Sequence, residues 1–311
     1  TWSDIDKADS INALSFATAE GNPDGCARVF EHRLDLWIFG TVTTEIWRDT
    51  GSTTDTFLRA PGGLIRRGCS APMSVAALGS ELYWVGDHGA VCMANGYVPS
   101  DISTEAVNYS ILHTADKTSI TGASYYFKGL GFYELSGPTW TWVYARQTQT
   151  WFEAQSAGLT RRRTQMSAMW NGNVVWGDYA APNLYTLSDT NFTEAGNSMP
   201  WELQSSPMHA YPSRLRVNRL YLDFVTGQAP NSTVTDTANP GLQLSWSDDG
   251  AKTFSTIRSY SLGTQGQFSG HVEFNGLGST SRQGRIWKLR ITSPVARGLL
   301  GAAIEGQKIG T

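Results

Sequence analysis

Apolar residues along this chain gather in short runs that close on glycine, and the runs return. Leu34 to Gly51, LDLWIFGTVTTEIWRDTG, reads as two strands about a Gly-Thr turn, with a tryptophan in each, Trp37 and Trp47. Runs of the same build close at Gly86 (YWVG), Gly137 (ELSG) and Gly177 (VVWG), so from Gly40 onward the glycines stand 46, 51 and 40 residues apart. The strand after each glycine repeats as well, centred on Ile46, Cys92, Val143 and Tyr185 at spacings of 46, 51 and 42. A period of about 40–50 residues is that of four-stranded propeller blades. Tight turns precede the later copies at Gly79-Ser80, near Gly129 and at Asn171-Gly172, the last being a strong hairpin signal because both residues tolerate positive φ. A final outer strand is expected in DISTEAV, residues 101–107, and in WFEAQS, residues 151–156. One such sheet cannot bury both of its faces. Stacking sheets radially does so, with aromatic side chains filling the wedges, and Trp84, in phase with Trp37 and Trp176, is expected in that core.

The repeat stops after about Asp189. From Met199 the runs RLRVNRLYLDFVTG, GLQLSWSDDGAKTFSTIRSYSLG, GHVEFNGL and GRIWKLRITSPV alternate apolar and polar residues between Gly, Asn, Ser and Pro, the pattern of a sandwich-type module. Thr226 to Gly241, TGQAPNSTVTDTANPG, reads as a mobile polar loop. The chain is therefore expected to be all-β, with propeller blades over 1–198 and a β-sandwich-like module over 199–311. Four detected blades are few, and the start, TWSDIDKADS, has no Met. The chain is expected to begin inside a longer polypeptide with further blades before it, and residues 11–33 are expected to supply earlier strands, one of them completing the first blade.

Composition narrows the function classes. A net charge of -3 argues against a dedicated binder of nucleic acid or anionic membrane, which would carry a basic excess. No apolar run approaches the roughly 18 residues that span a bilayer. Cys26, Cys69 and Cys92 form no CxxC pair and read as free thiols, without a disulfide framework or zinc site. The histidines are isolated, with no pair at metal-ligand spacing. GxSxG, HExxH, Walker A and a complete GxGxxG are missing, and GLGSTS from Gly276 reads as a turn. No catalytic residue, cofactor site or metal ligand is assigned, and an enzyme is not expected.

Two motifs remain. SDDGAKTF resembles an Asp-box, the hairpin signature of sialidase propellers and many other β-proteins, through Ser247, Asp249, Thr253 and Phe254, with Ala251 in place of its glycine and Phe254 in place of its tryptophan. Its role is local: the carboxylate caps backbone N–H groups and the aromatic packs beneath the turn. Arg161, Arg162 and Arg163 form the one strong basic run, between an outer strand and the next blade; it reads either as a solvated loop or as a contact to phosphate or an acidic partner. Arg66 and Arg67 are a weaker case of the same kind.

Taken in order, FATAEGNPDG, DLWIFGTVTTEIW, IRRGCSAPMSVAALGSELYWVG, ANGYVPSDISTEAV, TWVYARQTQTWFEAQS and SWSDDGAKTFS, followed by RSYSLGTQGQF, RITSPV and LLGAAIEG, resemble the packaged-DNA stabilisation proteins of short-tailed phages. These tail accessory factors are also called hub or nozzle proteins. The resemblance implies a non-enzymatic virion protein, made in the bacterial host's cytoplasm. It implies a homo-hexameric ring beneath the portal and its adaptor that prolongs and plugs the DNA channel and docks tailspikes and a tail needle or tip. DNA would pass through non-specifically, and no membrane is involved. This chain departs from the family in a third blade longer by about five residues and in its degenerate Asp-box. Apart from the resemblance, the residues also leave open a carbohydrate-binding propeller, on its twelve tryptophans, and a sialidase-like one, on the Asp-box.

Overall fold

The computed structural model describes residues 2, 3, 7, 9–11, 16, 18, 19, 21–52, 56–228, 235–268 and 271–310, with the backbone alone at 235 and 236. The chain divides into two units, Thr1–Leu187 and Ser188–Thr311.

The first unit is a succession of antiparallel sheets. Blade 1 is β1 (Cys26–His32), β2 (Asp35–Gly40), β3 (Thr44–Asp49) and β4 (Phe57–Ile65), paired in that order. Blade 2 is β5 (Ala76–Leu78), β6 (Glu81–Val85), β7 (Val91–Asn95) and β8 (Val98–Asp101). Blade 3 is β9 (Thr121–Phe127), β10 (Leu130–Ser136), β11 (Thr141–Ala145) and β12 (Thr150–Glu153). Blade 4 has β13 (Thr164–Trp170), β14 (Asn173–Asp178) and β15 (Leu184–Thr186). The strand expected to complete the first blade is β1; the expectation of still earlier strands falls on a stretch whose residues 12–15, 17 and 20 lie outside the described residues. Asn171 and Gly172 both take positive φ, 47° and 76°, the type I′ geometry that suits the twist of a two-residue hairpin.

Period-2 alternation explains how one strand serves two neighbours. In β6, Leu82 and Trp84 join the cluster shared with blade 1, while Tyr83 and Val85 join the one shared with blade 3. Trp37 and Trp84 are 2% and 0% exposed, and the Phe39 and Trp84 rings lie 5.4 Å apart. Tyr83 stacks on Tyr133 of blade 3 at 5.0 Å, and Tyr125 meets Trp176 of blade 4 edge-on at 5.0 Å. The third cluster is the smallest, with Ala123, Tyr125 and Trp176 as its buried members.

One expectation fails in blade 2. DISTEAV is not an outer strand: β8 ends at Asp101, and Glu105–Leu112 is a helix, α1. Glu105 lies in the first turn, where the helix dipole favours an acid, and Val107 and Ile111, four residues apart, bury one face. Lys117 Nζ donates to the carbonyls of Ile111 and Thr114, both at 3.0 Å, and closes its C-terminal end. Blade 3 holds the segment through indole N–H groups: Trp142 donates to Ser110 Oγ, Trp140 to Thr114 Oγ1 and Trp151 to the Ile102 carbonyl. These tryptophans are thereby committed to packing.

The second unit opens with a short hairpin, β16 (Thr193–Glu194) and β17 (Asn197–Ser198). It continues with β18 (Trp201–Gln204), β19 (Arg214–Phe224), a helical turn α2 (Thr235–Ala238), β20 (Gly241–Ser247), β21 (Arg258–Ser261), β22 (Val272–Ser279), β23 (Ile286–Ile291) and β24 (Leu299–Ile309). Two sheets result, β18-β23-β20-β21 and β22-β19-β24, and alternating residues such as Leu220 and Leu222 on one and Leu244 and Leu289 on the other form a single core. The stretch read as a polar loop, Thr226 to Gly241, contains α2, and its residues 229–234 lie outside the described residues. The eleven-residue β24 was not expected, since LLGAAIEGQKI has no clear alternation.

Candidate functional site

The basic run is not solvated. Arg161 is 5% exposed, lies 4.3 Å over the Tyr179 ring and donates to the Arg162 carbonyl and Gln165 Oε1. Burial holds its guanidinium below the usual arginine range. Arg162 reaches across to blade 3, where its Nη1 lies 2.6 Å from Oε2 of Glu134, a side chain 2% exposed, and its guanidinium lies 5.3 Å from the Trp176 ring. Arg163 Nε pairs at 2.9 Å with Asp178 Oδ2 in its own blade, beneath Tyr185. Burial would raise the Asp178 carboxyl, but the Ala180 N–H, the Tyr185 hydroxyl and Arg163 outweigh it and hold it below the usual range. Both readings of the run, solvated loop and open anion contact, are corrected. The carboxylates that answer Arg162 and Arg163 belong to the chain itself, Arg161 is held by neutral groups, and Arg162 fastens blade 4 to blade 3.

Arg66 and Arg67 are exposed. Arg67 Nη2 stands 4.0 Å from Asp101 Oδ2, and that carboxylate leads to a cluster the sequence reading did not assemble. Cys92 and Asp101 are direct cross-strand partners in β7 and β8, and the loop between β6 and β7 adds His88. His88 Nε2 lies 3.1 Å from Asp101 Oδ2, and Cys92 Sγ donates to Asp101 Oδ1 at 3.5 Å. The three ligand atoms stand within 4.8 Å of one another. Burial first, then the charge of Asp101, pushes the Cys92 thiol well above the usual range. Asp87 Oδ1 stands 3.5 Å from His88 Nδ1 and accepts the Gly68 N–H at 3.1 Å. The usable signal in the sequence was the hairpin turning at Gly96, which sets Cys92 opposite Asp101.

The Asp-box-like turn caps backbone groups as expected. Asp249 Oδ1 accepts the N–H groups of Lys252 and Thr253 at 3.0 and 2.9 Å, Oδ2 accepts the Thr253 hydroxyl, and Ser247 Oγ accepts the Ala251 N–H. The Thr253 hydroxyl and N–H, followed by Ser247, hold the Asp249 carboxyl far below the usual range. The aromatic departs from expectation: Phe254 remains 37% exposed with Lys288 Nζ over its ring at 5.2 Å. The neighbouring Asp248 makes the deeper anchor, a two-pronged pair at 2.7 and 2.8 Å with Arg285, which is 2% exposed and sits against Trp246 and Trp287.

Comparison with known proteins gives two family matches in tandem: bacteriophage P22 Gp10, beta-propeller, over residues 1–192, and bacteriophage P22 Gp10, beta-sandwich, over residues 200–307. No curated protein sequence matches. Among solved structures, the chain is similar to an exo-beta-1,3-galactanase from Phanerochaete chrysosporium, with 8% identity over 87% of this chain and 78% of that one and a TM-score of 0.31. It is similar also to the computationally designed Ika4 protein (13% identity, 55% and 94% covered, TM-score 0.33) and to the WD40 domain of SCAP from fission yeast (9%, 84% and 69%, 0.26). At such scores these likenesses carry no argument about activity.

Proposed function

The chain belongs to the bacteriophage P22 Gp10 family and is a structural protein of the phage tail, and on that premise we propose that it is the portal-attached hub that extends and seals the DNA channel. The observation that carries the reading is the order of the two matches, propeller over 1–192 and sandwich over 200–307, which together take in nearly the whole chain. In this reading the protein is made in the host cytoplasm and incorporated into the virion. It assembles as a hexameric ring on the portal and adaptor and presents surfaces to tailspikes and to the needle or tip. It performs no catalysis. Electrostatics supports a conduit over a DNA holder. The net charge is -3, and Arg162 and Arg163 are spent on internal carboxylates. A wall dense in lysine and arginine would displace counterions and grip the phosphate backbone, whereas a weakly charged one lets it slide.

Arg66 and Arg67 are the exposed basic pair that this reading assigns to an acidic neighbour or to passing DNA. The test is to mix the purified protein with portal rings and follow association by sedimentation and negative-stain imaging. A six-membered ring seated on the portal is expected. Failure to associate across salt concentrations overturns the proposal. The variant Arg66→Gln/Arg67→Gln should fold normally, since surface changes cost within about 0.5 kcal/mol each, and should weaken the association.

A further inference from the structure

We propose that His88, Cys92 and Asp101 form a zinc site that staples the loop between β6 and β7 onto the outer strands of blade 2. The donor set is one imidazole nitrogen, one thiolate and one carboxylate oxygen, the mixture of ligands that suits a borderline-soft Zn²⁺ with water in the fourth position. The geometry is close to what the ion needs. Bonds of about 2.0–2.3 Å in a tetrahedron place ligand atoms roughly 3.3–3.8 Å apart. Here Nε2 stands 3.1 Å from one Asp101 oxygen and Sγ 3.5 Å from the other, and one donor atom from each residue lies within 4.8 Å of the rest. Strand pairing fixes two of them, because Cys92 and Asp101 face each other across the β7–β8 ladder.

Two features around the cluster point the same way. Gly86 is not among the glycines with positive φ, so its missing side chain answers to space. A Cβ there would meet the His88 ring at 2.8 Å and Cys92 Sγ at 2.9 Å, the two donors it allows to converge. Behind the ring, Asp87 Oδ1 stands 3.5 Å from Nδ1. That is the side on which a metal-bound imidazole takes its orienting carboxylate. Arg67, the remaining charged neighbour, is at 4.0 Å from Asp101 Oδ2 on a half-exposed side chain, the outer limit of an ion pair, and leaves the carboxylate available. On binding, the Cys92 sulfur gives its proton to solvent and its electron pair to the metal; no oxidant or reductant takes part.

The probe is Co²⁺, added to the chelator-treated whole protein. The expected result is a near-ultraviolet thiolate-to-cobalt charge-transfer band with visible bands of four-coordinate intensity, both abolished by equimolar Zn²⁺. Cys26, the exposed thiol, is removed by Cys26→Ser, and the spectrum should survive that change. His88→Ala and Asp101→Asn lie at exposed positions, so folding should persist by circular dichroism while affinity falls more than tenfold. Asp87→Asn should weaken binding about 10–100-fold, as loss of an orienting partner does. Cys92→Ala should abolish the charge-transfer band. No band in the parent protein, or a band of unchanged affinity in His88→Ala and Asp101→Asn, overturns the proposal.

Discussion

Replacing Arg162 with methionine isolates what holds blade 4. Methionine keeps an apolar stem of similar reach beside Trp176 and removes only the charge and the donors. Its partner, Glu134, is 2% exposed in the side chain, and the pair is 2.6 Å long. Cutting one side of a buried pair leaves the other charge buried without its close counter-ion and costs about 3–5 kcal/mol. Loss of the cation over the Trp176 ring, 5.3 Å away, adds about 0.5–1 kcal/mol. A total near 4 kcal/mol is expected, a large fraction of the 5–15 kcal/mol typical of a folded domain. Urea unfolding followed by circular dichroism reads it directly. The double variant Arg162→Met/Glu134→Leu should recover most of the loss, because a buried pair exchanged for apolar groups is often neutral. Salt over about 0.05–0.5 M should change the single variant's deficit little, since buried pairs are weakly screened. A deficit under about 1 kcal/mol, or a double variant that loses the sum of both single changes, would refute the reasoning.

Trp84→Ala should destabilise by about 3–5 kcal/mol as a buried aromatic truncation, toward the upper end because the Gly68 carbonyl loses the indole N–H at 3.1 Å; a loss below about 1 kcal/mol in the same urea assay would contradict the packing. Ala251 holds φ of 69° where the Asp-box pattern has glycine, so Ala251→Gly should raise stability by about 1 kcal/mol, and a lower melting temperature would count against that account. Glu81 is held below its ordinary value of 4.5 by hydrogen bonds from Arg146, against burial. Its contribution is therefore whole above that pH and is lost as pH falls through the lower folded value, so melting temperatures should drop on that acid limb and Glu81→Gln should flatten it.

The blades could be read in the sequence because each is a local object. The glycine-closed runs at Gly40, Gly86, Gly137 and Gly177 and the tight turns at Gly79 and Asn171 are consequences of neighbours a few residues apart, as are the strands β19, β20 and β23. What escaped depends on distance. Glu134 lies 28 residues from Arg162 and Asp178 lies 15 from Arg163, so three adjacent cations looked exposed until the sheets were stacked. The helix α1 escaped for a different reason: in EAVNYSIL only Val107 and Ile111 are buried, too few to mark a helical face, and the β-branched residues before it suggested a strand. The histidine cluster fell between the two. Its members span fourteen positions, but only strand register turns His88, Cys92 and Asp101 into neighbours.

The junctions between successive blades are not equally built. The first two are broad apolar contacts, with the Arg146–Glu81 pair added at the second. The third rests on Ala123, Tyr125 and Trp176 plus the grip of Arg162 on Glu134. Blade 4 is also the part of the first unit that runs directly, at Leu187, into the second. The last blade is thus the one whose seating leans most on an ionic grip and least on apolar burial.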